Sequence, residues 1–229
     1  MKKNIILSIA TMLMSLCIQA QEAPKKLNFD KNGEFKIVQF TDMHLGHDLE
    51  KDNIVGDMIK EVVDSEKPNL VVFTGDNTTM DEVKQAWDEI AKELSKRKIP
   101  WTAVLGNHDD EHAVSRKNII EIIRQEPYCM MSNVEQGIKG EGNHVLPIYG
   151  STNNAKATAL LYCFDTNAYS KVKDVKGYDW LGLSQVNWYT RESRKYTEQN
   201  NGQPLPALAF IHIPLPEYTQ AWESLDSKR

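Results

Sequence analysis

Trp101-Thr102-Ala103-Val104-Leu105-Gly106-Asn107-His108-Asp109-Asp110 is an apolar run that stops at a glycine and continues as four polar groups. An extended segment of this kind delivers an amide, an imidazole and a carboxylate at its C-terminal tip. In an open α/β sheet that edge is where ligands bind. Taken alone, the stretch is equally a strand ending in an ordinary polar loop. Two upstream stretches repeat the pattern. Phe35-Lys36-Ile37-Val38-Gln39-Phe40 alternates and runs into Thr41-Asp42-Met43-His44, and Leu70-Val71-Val72-Phe73 is a continuous apolar run that ends in Thr74-Gly75-Asp76-Asn77. The continuous run predicts a parallel strand buried on both faces.

The segments between these strands have helical spacing. Residues 52–65 carry Ile54, Val55, Met58, Ile59, Val62 and Val63, with Pro68 just past the stop. Residues 81–96 place Val83, Trp87, Ile90, Ala91 and Leu94 on one face, and residues 115–125 carry Ile119, Ile120, Ile122 and Ile123. Three strand-then-helix units in succession predict parallel strands in one sheet, because crossovers between parallel strands are right-handed, and their polar tips then share one edge.

After residue 125 the character changes. Gly137, Gly140, Gly142 and Gly150 punctuate a loop-rich region with two expected strands, 144–149 and 156–165, joined as an antiparallel hairpin in a second sheet. A helix is expected over 184–199 with Ser184 as its N-cap. Residues 207–211 read as a last buried strand that ends in His212.

The chain has 229 residues, is 41% hydrophobic and 26% charged, and carries a net charge of −5. Those values suit one domain with a sizeable core, and the acidic balance argues against nucleic acid as a partner. Met1-Lys2-Lys3 followed by an apolar stretch over 5–18 and the small Ala20 reads as a bacterial-type export signal removed after residue 20. The apolar stretch is short for a membrane span, so none is expected after cleavage, and the destination is the periplasm or the medium. A lipid anchor at Cys17 is disfavoured by Leu16, which stands where a small residue is needed. Residues 21–34 are expected to be a polar lead-in. Cys129 and Cys163 remain, either as a disulfide or as two buried thiols.

The strand tips collect Asp42, His44, Asp76, Asn107, His108 and His212. Carboxylate, imidazole and amide groups without a thiolate suit hard-to-borderline ions such as Mn, Fe, Zn or Mg. In an extended segment Asp42 and His44, one residue apart, would project to the same side and share one ion. Asp76 on the neighbouring strand can give one oxygen to each of two ions, with Asn107 and His212 completing the second. Two ions about 3.5–4 Å apart clamp a phosphate ester and generate hydroxide near neutral pH. His108 would donate a hydrogen bond or a proton to the leaving oxygen.

In this order, Asp42-Met43-His44, Gly75-Asp76-Asn77, Gly106-Asn107-His108-Asp109 and His212 resemble the calcineurin-like metallophosphoesterase superfamily over most of the chain. More narrowly, Phe73-Thr74-Gly75-Asp76-Asn77 and Phe210-Ile211-His212-Ile213-Pro214-Leu215-Pro216-Glu217 are similar to the branch of Dcr2-type and plant purple-acid-phosphatase-like proteins. The resemblance implies an α/β fold built as a four-layer α/β/β/α sandwich over residues 35–229. It implies a metal set of Asp42, His44, Asp76, Asn107 and His212, with His108 catalytic and Asn107 and His108 at the substrate. It also implies two divalent or trivalent ions and a small-molecule or protein phosphate ester as substrate.

Two features depart from the family pattern. Thr78 and Thr79 follow Asn77 where purple acid phosphatases carry a tyrosine ligand. The Gly-His-x-His motif that closes the family site is absent from the six histidines, His44, His47, His108, His112, His144 and His212. The chain is therefore expected to be incomplete at its C-terminus and to lack the last strands of the sandwich. The expected function is an exported phosphatase acting on monoesters. The alternatives are a phosphodiesterase or nucleotidase with the same site, or a non-catalytic remnant that binds metal or phosphate. His47, His112 and His144 read as surface or loop histidines. Asp109 reads either as a partner that orients His108 or as a cap on the next turn.

Overall fold

The computed structural model describes residues 26–46, 49–79, 81–111, 114–152 and 156–226. The expected export signal with Cys17, His47 and His112 lie outside the described residues. Strands β2 (Ile37–Phe40), β3 (Leu70–Thr74) and β4 (Trp101–Val104) form one parallel sheet in that order. Helices α1 (Leu49–Glu66), α2 (Val83–Lys96) and α3 (Arg116–Gln125) follow these strands in turn. A second sheet contains β1 (Leu27–Asn28), β5 (His144–Tyr149), β6 (Ala157–Cys163) and β7 (Ala207–Phe210) in that order. Helices α4 (Leu183–Gln199) and α5 (Pro216–Asp226) complete the described chain. No described helix is long and apolar enough to cross a membrane.

Side-chain alternation explains the layering. On β3, Val71 and Phe73 point into a core with Trp87, Ile90, Leu94, Ile119 and Ile123 from α2 and α3. Leu70 and Val72 point the other way, against Leu146, Ile148, Leu161 and Cys163 of the second sheet. On β6 the same period of two sends Leu160 and Tyr162 to the outer face, where Trp188 of α4 covers them. Three apolar interfaces thus separate four layers, helices, sheet, sheet and helix, which is the expected α/β/β/α sandwich. Strand β3, the middle strand of the first sheet, reads as an unbroken apolar run because both of its faces are buried.

Local chemistry sets the element ends. Ser115 caps α3 by accepting from Asn118 N, a contact worth about 1 kcal/mol. On α1, Ile59 and Val63 are buried, whereas Ile54 and Met58 of the expected apolar stripe face solvent. Helix α4 starts at Leu183, not at 184. Its N-cap is Gly182, whose N–H donates to the Gln185 side chain at 2.8 Å, while Ser184 Oγ is taken up by Lys139 N at 3.0 Å.

Two expectations for the second sheet change. Leu27 and Asn28, placed in the lead-in, form β1 by pairing in parallel with Ile148 and Tyr149. Leu27 is buried, and its apolar side chain is what draws this polar segment onto the sheet edge. Strand β7 was expected to be buried but exposes Ala207, Leu208 and Ala209, with only Phe210 inside. Among the described strands it lies at the sheet edge, so only β6 covers it. Cys129 and Cys163 are free thiols, and burial pushes Cys129 up to about 12.

His144 is a core residue, not a surface one. Its Nδ1 donates to Gly142 O at 2.7 Å, which leaves Nε2 to accept from the Thr102 hydroxyl at 2.7 Å. Burial lowers its pKa from 6.5 to about 4, the Gly142 carbonyl pulling weakly the other way. The sign follows from the depressed native value. Above pH 6.5 both states are neutral, and below it the unfolded chain gains a proton that the native ring refuses until about 4. Stability is therefore expected to fall by about 3 kcal/mol as pH drops through that window. Denaturant melts of wild type and His144→Gln across pH 4–7 should show the slope lost in the variant. An unchanged slope would remove His144 as its source.

Candidate active site

The three strand tips of the first sheet meet at one edge. Asp42, His44 and Asp76 all adopt left-handed backbone conformations, with φ of 54°, 46° and 51°. The 42–44 segment is thus not the extended strand that its one-residue spacing suggested. Asp42 N donates to Gly75 O, His44 N to Asp76 O and Leu45 N to Asn77 O, each at 3.0 Å. These bonds hold the two tips side by side against a cost on the order of 1 kcal/mol for each left-handed non-glycine residue. The glycines of the motifs are required by close approach. A Cβ at Gly106 would overlap the carboxylate and backbone N of Asp76, and one at Gly75 would overlap the His212 ring.

Asp76 sits at the centre and is buried. Its Oδ1 accepts from His108 N at 2.8 Å, while Oδ2 lies 3.2 Å from His212 Nε2 and 3.8 Å from His44 Nε2. Ligand atoms of Asp42, Asp76 and His212 all fall within 4.8 Å of one another. This tightest group crosses the expected pairing of Asp42 with His44 and of His212 with Asn107. The reason is that His212 arrives from β7 in the other sheet, with its Nδ1 held by Thr74 O at 2.8 Å. Burial pushes the Asp76 carboxyl up, but the His212 imidazole and His108 N–H outweigh it and hold the pKa below the ordinary value. Burial likewise opposes charge on His212, yet Asp76 and the Thr74 carbonyl raise its pKa overall.

Asn107 is buried, and its Nδ2 donates to the Tyr169 hydroxyl at 3.4 Å. His108 is half-exposed, with Nδ1 2.7 Å from Glu111 Oε2, a hydrogen bond that raises its pKa. Its ring centroid lies 5.4 Å from that of His44. The expected site residues Asp42, His44, His108 and His212 therefore gather around Asp76, and Asn107 stands beside them on the loop that carries His108.

One participant takes a role that the sequence did not suggest, and two, Arg116 and Tyr169, were not recognised in it. Asp109 neither orients His108 nor caps the next turn. Its two oxygens accept from Gly106 N, Asp76 N, Asn77 N and Thr78 N at 2.7–3.1 Å, bracing the β3 and β4 tips together. Arg116 donates to Gly106 O, Asp110 and, with two nitrogens, Asp165 at the end of β6. An arginine in the first turn of a helix opposes the macrodipole, and that misfit was a signal that its charge serves elsewhere. Tyr169 carried no comparable signal.

The donor set fits a hard-to-borderline cation. With Nδ1 of His212 held by the Thr74 carbonyl, Nε2 is the nitrogen left to ligate an ion, the orientation usual in metal-binding histidines. Asp42 and Asp76 would supply the carboxylates.

Four layers in the order helices, sheet, sheet and helix, with carboxylate and imidazole groups gathered at the strand tips, define an α/β/β/α scaffold with a group of side chains that could hold a metal ion. A family model described as calcineurin-like phosphoesterase matches residues 35–227, and the chain belongs to that family. A relative from Arabidopsis thaliana, named "Probable inactive purple acid phosphatase 29", is 34% identical over 98% of this chain and 64% of its own length. "Phosphatase DCR2" of Saccharomyces cerevisiae is 34% identical over 85% of this chain and 37% of its own. "Probable inactive purple acid phosphatase 14" of Arabidopsis thaliana is 32% identical over 85% of this chain and 57% of its own. The chain thus falls in the Dcr2 and purple-acid-phosphatase-like branch, and it spans 37–64% of the length of these three relatives.

Proposed function

We propose that this chain is an exported, metal-dependent phosphoesterase that hydrolyses phosphate monoesters. One observation carries the reading: the Asp76 carboxylate is flanked by His212 and His44 nitrogens at 3.2 and 3.8 Å, with Asp42 in the same cluster. Asp42, His44, Asp76, Asn107 and His212 would hold two ions drawn from Mn, Fe, Zn or Mg. When bound, the ions supply a hydroxide near neutral pH and positive charge facing the phosphoryl oxygens.

The remaining work falls to the chain. Asp76 keeps its carboxylate in place through His108 N. Asn107, its amide nitrogen turned to Tyr169, offers Oδ1 to a cation and its loop to the phosphate. His108, held through Nδ1 by Glu111, presents Nε2 to the leaving oxygen and donates the proton that oxygen needs. Export rests on the basic start, the apolar stretch over 5–18 and Ala20. The N-terminal sequence of protein recovered outside the cytoplasm should begin at Gln21.

Purified chain is expected to bind close to two Mn ions by calorimetry and to hydrolyse p-nitrophenyl phosphate faster than the corresponding diester when Mn is added. Absence of metal-stimulated turnover on both would sink the enzyme reading for this chain. A second reading, a non-catalytic metal or phosphate binder, draws support from the word "inactive" in the names of two relatives. It predicts binding without turnover.

A further inference from the structure

The segment 168–179 is a short hairpin beside the site, made by Ser170 N donating to Gly177 O and Asp179 N donating to Ala168 O, both at 3.0 Å. Tyr169 and Tyr178 pair across it, and their rings stack with centroids 5.6 Å apart and planes 19° from parallel. Both rings remain 47% and 56% exposed, although large aromatic side chains gain by burial. The hairpin base is anchored: Asp179 pairs with Lys139 Nζ at 2.6 Å, and that ammonium also lies 5.0 Å from the centre of the Trp180 ring.

Resting on the phosphoesterase function proposed above, we propose that the Tyr169–Tyr178 pair is the leaving-group platform of the site and selects phosphate esters of planar aryl alcohols. The Tyr169 hydroxyl contacts Asn107 directly, so the ring edge begins where the phosphate site ends. A ring carried on the ester oxygen reaches this edge, and a nucleoside phosphate, with a sugar interposed, places its base further away. An exposed pair of rings stacked on each other across a hydrogen-bonded hairpin offers a face ordered before the ligand arrives, at low entropic cost. Tyr169 has a second task as a positioning residue, since its hydroxyl turns the Asn107 amide.

The test uses Mn-loaded chain and two phosphonates that are not hydrolysed. Phenylphosphonate is expected to bind about tenfold more tightly than methylphosphonate by calorimetry, a difference of about 1.4 kcal/mol. Tyr178→Ala should remove that preference while leaving methylphosphonate affinity unchanged, and Tyr178→Phe should restore it. Tyr169→Phe should keep the aryl preference but weaken Mn binding. Equal affinities in wild type, a preference that survives Tyr178→Ala, or tighter binding of the non-hydrolysed phosphonate analogue of adenosine 5′-monophosphate than of phenylphosphonate would overturn the platform. Hydrolysis separates this outcome from failure of the parent function. Metal-stimulated turnover of aryl and alkyl phosphates at equal kcat/KM ends the platform and keeps the phosphoesterase, whereas no turnover of either ends the phosphoesterase.

Discussion

Asp76→Asn should lower metal-stimulated phosphate ester hydrolysis by ~10³-fold, equivalent to about 4 kcal/mol of lost transition-state stabilisation. Asn is nearly isosteric with Asp, and it tolerates the left-handed conformation that position 76 adopts. Its amide oxygen can still accept from His108 N. The substitution therefore removes charge and one acceptor from the centre of the cluster and leaves the backbone and the glycine contacts in place. His212 would then face an amide where it had a carboxylate 3.2 Å away. The checks are steady-state hydrolysis, Mn stoichiometry by calorimetry, and circular dichroism to show that the fold persists. A folded variant whose activity stays within a few-fold of wild type would mean that Asp76 does not bridge the ions.

Arg116→Met should cost about 3–5 kcal/mol of stability, because it leaves Asp165 charged and without its main partner in the interior. The Asp165 side chain is 1% exposed and that of Arg116 is 13% exposed, so water screens the pair weakly. At about 2–4 °C per kcal/mol for a chain of this size, the melting temperature should fall by roughly 10 °C. Arg116 also donates to Gly106 O and pairs with Asp110, so the loop that carries Asn107 and His108 loses its lower support. Metal-stimulated kcat should drop even at temperatures where the variant is folded. When Asp165 is replaced, Arg116 keeps Gly106 O and Asp110 as partners, so Asp165→Asn should be milder than Arg116→Met. A double-mutant cycle with a coupling near zero would show that the pair contributes little beyond local packing.

The layered fold was legible because its signals are local. The period of two in Val71/Phe73 against Leu70/Val72 assigns both faces of a buried strand before any partner is known. The periodic stripes of α2 and α3 did the same for the helices, since Val83, Trp87, Ile90, Ala91 and Leu94 are all buried. Edges were harder. β1 and β7 depend on what lies beside them in space, so Leu27 was taken for lead-in and Leu208 for core. The site divided along the same line. Its chemical identities followed from polar residues at successive strand tips, while its geometry did not.

The sequence by itself determined the central strands and the helices that follow them, and which side chains come to one sheet edge with chemistry suited to a metal ion. Tertiary structure alone decided how those side chains meet. Asp109 reaches backbone donors 31–33 residues away, Arg116 reaches Asp165 across 49 residues, and Asn107 meets Tyr169 across 62. His212 is brought to Thr74 across 138 residues by a strand of the other sheet. No periodicity extends over such separations. These contacts exist because two sheets pack face to face and bring their loop ends together, where buried polar groups must find partners.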